Sequence, residues 1–196
     1  MCHVQFYIPD RLEPPVLLYY QLTNFYQNHR RYVQSFDQTQ LSGTARTASQ
    51  INGSDCDPLQ GEVAADGQWK PYYPCGLIAN SLFNDTFSAP VLLSTSGSSA
   101  SSLPYNMTEE GIAWGTDADL YKPTKYAYGD VLPPPNWRVQ YPEYNETFPF
   151  KDLHNDQPFQ NWMRTAGLPT FSKLARRNNA ETMAVGRYQI DIAYCM

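Results

Sequence analysis

Apolar residues recur at every second position in three stretches of the chain, and each predicts a strand with one covered face. In Cys2–Ile8 the alternation sets Val4, Phe6 and Ile8 inward, and Pro9 breaks the run. Pro14 and Pro15 introduce Val16–Leu22, where Val16, Leu18, Tyr20 and Leu22 share a side. In Arg187–Met196, Tyr188, Ile190, Ile192 and Tyr194 face one way, and Arg187, Gln189 and Asp191 face the other. Val91–Leu93 and Ile112–Trp114 read as shorter strands. Leu77–Phe87 fits a short helix or a strand equally well.

The spacing turns helical in three places. After Thr23 or Asn24, either of which can cap, Phe25, His29, Tyr32 and Val33 fall on one helical face, with Asn28, Arg30 and Arg31 around the other. Asn155 or Asp156 can cap a second helix, with Pro158 in its first turn and Phe159, Trp162, Met163 and Ala166 at helical spacing. Gly167-Leu168-Pro169 ends it. A third is expected from Thr170, with Phe171, Leu174 and Ala175 on one side and Arg176 and Arg177 at its C-terminal end.

Between these elements lie long loops. Ser42–Asp57 is polar and suited to mobility, and Ser94–Ser102 is of low complexity. Leu120–Phe150 is proline-rich and aperiodic, and is expected to be packed down by Tyr121, Tyr126, Trp137 and Tyr141. Asp117 and Asp119 mimic the start of a calcium loop but lack its glycine and distal glutamate, so a solvated turn is expected. The pattern as a whole predicts a mainly β fold: an antiparallel β-sandwich carrying long loops and three short helices.

Composition adds a compartment. The 196 residues, 42% of them hydrophobic, suffice for one sizeable domain. Sixteen prolines, 15 tyrosines and only 17% charged residues suit strands and loops better than a helical bundle. A net charge of −5 argues against a nucleic-acid partner. Four glycosylation sequons, at Asn52, Asn84, Asn106 and Asn145, point to a lumenal or extracellular surface. Leu82, Phe83 and Phe87 flank Asn84 and set it nearest the core. No segment is long and apolar enough to span a bilayer, and nothing resembles a signal peptide.

Catalytic chemistry is poorly represented. His3, His29 and His154 sit in unrelated elements, and there is no GxSxG, HExxH or phosphate-binding glycine loop. No CxxC or His–Cys spacing suggests a metal, and no cofactor is expected. Trp114, Trp137 and Trp162 would suit a carbohydrate-binding sandwich if exposed, but buried anchors are the commoner use of such residues. Arg164 is expected to form an intramolecular ion pair. The densest concentration of recognition-type side chains is Tyr19–Leu41, YYQLTNFYQNHRRYVQSFDQTQL.

Within it, Asn24–Val33, NFYQNHRRYV, resembles the signature of the cell division control protein 50 / ligand-effect modulator family, in a fungal-like form. These are accessory beta subunits of type IV P-type ATPase phospholipid flippases. The likeness continues through Tyr73–Thr86 (YPCGLIANSLFNDT), Gly111–Trp114 (GIAW), Pro134–Trp137 (PPNW), Trp162–Leu174 (WMRTAGLPTFSKL) and Ala184–Tyr188 (AVGRY), in the family's order across nearly the whole chain. It implies a non-catalytic subunit that binds a P-type ATPase, helps it fold and leave the endoplasmic reticulum, and supports its cycle. It also implies that residues 1–196 are one exoplasmic domain between two transmembrane helices of a membrane protein of the endoplasmic reticulum, Golgi, endosome or plasma membrane. The abrupt first and last strands fit an excised piece.

Cys56 and Cys75 bracket a polar loop whose closure would remove about 3 kcal/mol of unfolded-state entropy, and the family carries a disulfide at that place. Cys2 matches the last of a family cysteine cluster. Cys195 matches nothing, which leaves a Cys2–Cys195 bridge and free thiols both open. Tyr26, Asn28, His29, Arg30 and Arg31 are the expected partner interface, and the alternative is that they knit the domain together internally.

Overall fold

The computed structural model describes residues 1–94 and 103–193, so Ser94–Ser102 falls almost wholly outside the described residues, as do Tyr194 and Cys195. The fold is mainly β and antiparallel. The chain divides into two interleaved compact units. The first comprises Met1–Tyr20, Phe83–Ile112 and Ser172–Met196, and the second Gln21–Leu82 and Ala113–Phe171.

The first unit is built on its strands. β1 (Cys2–Ile8), β9 (Gly186–Ala193), β6 (Val91–Ser94) and β7 (Leu103–Pro104) follow one another across an antiparallel sheet, with β5 (Thr86–Phe87) also on β9. β9 is central, and all seven residues of β1 pair with it, from Cys2 opposite Ile192 to Ile8 opposite Gly186. Alternation explains the core: Tyr188 and Ile190 are buried between outward neighbours, and Phe6, Ile8, Leu92, Tyr105 and Met183 pack about Tyr188. Val4 departs from the expected inward set. It is 42% exposed because β1 lies at the sheet's edge.

A second ribbon pairs β2 (Val16–Leu22) with β8 (Phe171–Asn178). β2 shows the expected alternation, with Val16 joining the Tyr188 cluster and Tyr20 stacked on Phe83 at 3.9 Å. β8 overturns the helix expected from Thr170. Its sequence FSKLARRN has helical spacing, but β2 offers an open edge, and pairing outweighs the weak local preference. Arg176 and Arg177 therefore cap no helix. Arg176 pairs with Glu109, and Arg177 donates to the Gly111 carbonyl at 2.8 Å. Ile112–Trp114, expected as a strand, forms no strand: Ile112 and Ala113 are in a bend, with Ile112 buried and Trp114 exposed.

The second unit is loop-rich, with one small ribbon of β3 (Gly61–Val63) and β4 (Trp69–Pro71). Its helices are short: α1 (Arg30–Gln34), α2 (Gln38–Leu41), α3 (Ala48–Asn52), α4 (Leu77–Asn80) and α5 (Gln157–Met163), with 3-10 turns at Asp117–Leu120 and Pro135–Trp137. α5 begins as its sequence predicts, the Asp156 carboxylate accepting from the Phe159 N–H, but it stops at Met163, short of Ala166. Leu77–Phe87 resolves into α4 followed by β5. Ser42–Asp57 is more ordered than its composition suggests: α3 has a Thr47–Gln50 capping box, and Ile51 is fully buried.

Aromatic side chains fill this unit. Tyr73, Tyr121, Tyr126, Trp137, Tyr144 and Phe159 are buried in one cluster, with Tyr141 and Phe150 against it, so the proline-rich segment is held by the rings expected. The Trp137 and Trp162 indoles donate to the Ala79 and Ile78 carbonyls at 2.8 and 2.9 Å. A second cluster surrounds the Cys56–Cys75 disulfide, whose Cα atoms are 5.6 Å apart. Among the described residues, no helix is long and apolar enough to cross a membrane.

Candidate functional site

The segment from Asn24 to Gln40 separates its side chains by role. Asn24 takes φ +56°, a left-handed turn that asparagine tolerates, in place of the expected cap. The chain then runs along residues 166–169: the Phe25 N–H donates to the Pro169 carbonyl, and the Asn28 amide to that of Gly167 at 3.1 Å. The Phe25 ring meets Tyr32, Trp162 and Phe171 edge-on, at 6.0, 5.5 and 6.2 Å. α1 starts only at Arg30, with His29 at its N-cap making no side-chain bond. The expected helical face is thereby broken. Phe25 and Tyr32 turn inward, while His29 and Val33 are exposed.

The inner face is polar and fully bonded, which hydropathy did not signal. Gln27, wholly buried, accepts from the Ala166 N–H at 2.9 Å and donates to the Tyr32 hydroxyl. Tyr32 shares a 2.8 Å bond with Ser81, and burial pushes its phenol pKa up. The Ser35 hydroxyl donates to the Asp57 carbonyl and accepts from the Leu77 N–H. Gln40 accepts from the Cys75 N–H and donates to the Tyr72 carbonyl, both at 2.9 Å. Gly76 is forced at its position: it has φ +99°, and a Cβ there would lie 2.1 Å from the Ser35 carbonyl oxygen. These contacts bind the segment to both ends of the disulfide loop.

The outer face carries the five residues expected to meet a partner. Tyr26 is 58% exposed, and Asn28, His29, Arg30 and Arg31 are exposed beside it. Asn28 is partly committed inward through its bond to Gly167. Arg46, Arg138, Arg164 and Arg176 each hold a carboxylate, yet among the described residues Arg30 and Arg31 have no ion pair, in a chain with 19 acidic against 14 basic residues. Sequence pattern gave no sign of Leu168. It is 69% exposed on the segment that Asn28 and Gln27 grip.

Arg164 forms the intramolecular pair expected of it, reaching Asp117 at 2.6 Å, and its guanidinium lies 3.4 Å from the Trp114 ring centre. Asp117 is thus buried and bonded, not part of a solvated turn; it also accepts from the Trp114 N–H. Of the candidate sugar-stacking rings, Trp137 and Trp162 are buried and Trp114 is 65% exposed with Arg164 on one face.

The histidines stay apart. His3 pairs with Asp191 on the sheet, His29 is on the outer face, and His154 is bonded to the Ala118 and Tyr121 carbonyls. No group of three His, Cys, Asp or Glu among the described residues could hold a metal. Of the sequons, Asn52, Asn84 and Asn106 are exposed. Asn145 is half-buried, with its oxygen accepting from Thr147 and Phe148 and its nitrogen donating to Glu143. Cys2 is exposed and is bridged to no cysteine among the described residues.

This arrangement is an internally bonded scaffold that presents Tyr26, His29, Arg30 and Arg31 on its exposed face. Residues 1–195 match the model of the LEM3 (ligand-effect modulator 3) family / CDC50 family, and the chain belongs to that family. It is 50% identical over 192 residues to the phospholipid-transporting ATPase accessory subunit CDC50 of Chaetomium thermophilum, covering 97% of this chain and 47% of that protein. It is 43% identical over 195 residues to the accessory subunit LEM3 of Saccharomyces cerevisiae, covering 97% and 45%. It is 39% identical over 208 residues to human cell cycle control protein 50B, covering 98% and 56%. The chain spans about half the length of the curated relatives it matches.

Proposed function

We propose that this chain is the exoplasmic part of a non-catalytic accessory subunit of a phospholipid-translocating P-type ATPase. In this reading it clamps the exoplasmic loops of a type IV P-type ATPase, helps that enzyme fold and leave the endoplasmic reticulum, and supports its transport cycle. ATP hydrolysis and lipid handling belong to the partner. Transmembrane helices on either side anchor the domain on the lumenal or extracellular face and raise its effective concentration at the partner. Asn52, Asn84, Asn106 and Asn145 carry glycans in that compartment.

One observation carries the reading. Among the described residues Arg30 and Arg31 have no ion pair, on an acidic chain and beside exposed Tyr26 and His29, while the residues behind them are hydrogen-bonded to a disulfide-closed loop. Arginine forks and tyrosine on a rigid base are the groups from which interface hot spots are made. Relatives named as accessory subunits of phospholipid-transporting ATPases support it independently.

The test is co-purification of the membrane-embedded full-length protein with a type IV P-type ATPase. Arg30→Ala with Arg31→Ala should abolish the complex and lipid-stimulated ATP turnover, while shifting the domain's own stability by no more than about 0.5 kcal/mol. A complex that survives the double substitution, or a domain that unfolds because of it, would remove these residues from the interface.

A further inference from the structure

A groove of about 560 Å³ opens in the second unit between α1, α2 and the turn that follows α3, within the roughly 300–1,000 Å³ of clefts that hold small ligands. Its walls are of two kinds. Val33, 38% exposed, and half-buried Phe36 give it an apolar side, while Arg46 and Asp55 supply donors and acceptors. Arg46 is loosely engaged: its guanidinium stands 3.4 Å from Asp37 and 3.5 Å from the Gln50 carbonyl, and its Nε makes no hydrogen bond among the described residues. Gly53 and Ser54 complete the lining, and they are the second and third residues of the Asn52 sequon. The turn that carries them is fixed. The Thr47–Gln50 capping box and fully buried Ile51 anchor α3, and the Ser54 N–H and hydroxyl both donate to the Ile51 carbonyl, at 3.0 and 2.7 Å. Asn52 is exposed, and its side-chain amide makes no hydrogen bond among the described residues, whereas that of Asn145 is held by Glu143, Thr147 and Phe148.

We propose that the glycan on Asn52 folds back into this groove, its first two N-acetylglucosamines lying over Val33 and Phe36 with their hydroxyls and acetamides toward Arg46 and Asp55. The inference rests on the reading that the domain is lumenal or extracellular and glycosylated. A sugar ring has an apolar face and a polar rim, so a cleft with one apolar wall and one charged wall satisfies both. The match need not be strong, because a ligand tethered next to its site is present at an effective concentration on the order of millimolar. The Ser54 hydroxyl, which recognition of the sequon requires, is spent on Ile51 in the folded protein, so the glycan is added before this turn closes. In that step the Asn52 Nδ2 bonds to C1 of the first sugar and gives up a proton, and the lipid pyrophosphate that carried the oligosaccharide leaves. The groove then forms around a glycan already in place.

The test uses the membrane-embedded full-length protein, made in a host that leaves its glycans in the high-mannose form, with the occupancy of all four sequons read by glycopeptide mass spectrometry. An endoglycosidase that cuts between the first two sugars should trim Asn52 about 10-fold more slowly in the native protein than in the denatured one, a larger ratio than at exposed Asn106. Val33→Arg and Asp55→Ala, both at exposed positions, should each speed native trimming at Asn52 toward the denatured rate, and leave Asn106 and the far-UV circular dichroism unchanged. A glycan on Asn52 that is trimmed equally fast in native and denatured protein overturns the proposal. So does protection that both variants leave intact, or an empty Asn52 beside other sequons that are occupied. If all four sequons are empty, the lumenal or extracellular reading beneath the proposal falls, and the proposal with it.

Discussion

The two compact units bury their residues by opposite means. In the sheet unit the backbone satisfies itself strand to strand, and side chains need only alternate, as Tyr188 and Ile190 do on β9. In the loop unit little backbone is paired in sheets, so side chains supply what the ladder would have. Buried Gln27, Ser35 and Gln40 bond to main-chain groups, two indoles donate to carbonyls of α4, and rings fill the space between. A ladder loses little when one side chain changes. A unit held by specific side-chain bonds loses much, and in return it can hold an exposed face such as Tyr26–Arg31 without a sheet beneath it.

Truncation in the loop unit should break this contrast most visibly. Trp162 is buried, meets Phe25 edge-on and donates to Ile78, so Trp162→Ala should cost about 3–5 kcal/mol in urea unfolding. A loss comparable to that of an exposed ring such as Tyr7 would show that the aromatic cluster is not what holds the unit. Next in size is the disulfide. Replacing Cys56 and Cys75 by serine should cost about 3 kcal/mol and leave the β1–β9 pairing intact by hydrogen exchange.

The polar bonds sharpen the comparison further. Gln40→Met leaves the Cys75 N–H and the Tyr72 carbonyl buried without that partner, a cost of about 1–3 kcal/mol. In the sheet unit, His3→Ala removes an exposed pair with Asp191 and should change stability by about 0–1 kcal/mol. Equal losses from the two would refute the division of labour.

Alkaline titration is the gentlest probe. Burial pushes Tyr73 and Tyr121 up to about 12 and raises Tyr144 further, whereas an unfolded tyrosine ionises near its ordinary value, about 10. A raised folded-state pKa contributes stability that is intact below about pH 10 and is lost as pH climbs toward 12. Tyrosinate absorbance from these residues should therefore appear together with loss of near-UV circular dichroism. Ionisation near pH 10 with the circular dichroism unchanged would contradict the burial.

The same contrast explains what could be read from the sequence. β1, β2 and β9 were legible because period-two alternation and a one-sided core are the same fact seen twice. α5 was legible through its Asp156 cap and Pro158. β8 was not, because its strand state comes from the partner edge on β2 and leaves no period in FSKLARRN. The candidate site was legible on its outside, since arginine, histidine and tyrosine crowded together stand out in composition. Its inside was not: Gln27 and Gln40 look like surface glutamines until the N–H groups of Ala166 and Cys75 are placed against them. Leu168 escaped notice because an exposed leucine after a helix end leaves no pattern.

The placement of β9 also sets an order of events in synthesis. β1, β5 and β6 all pair with a strand that comes after every one of them, and His3 finds Asp191 across 188 positions of sequence. A chain emerging from its N-terminus completes Gln21–Leu82 and Ala113–Phe171, the whole of the loop unit, before any of that sheet has its central strand. Until then β1 waits without its partner, through the synthesis of every residue between Ile8 and Gly186. The five-stranded sheet is therefore a late event whatever its final stability, and premature termination before Gly186 leaves β1 and β5 without a partner strand while every residue of the other unit is in place.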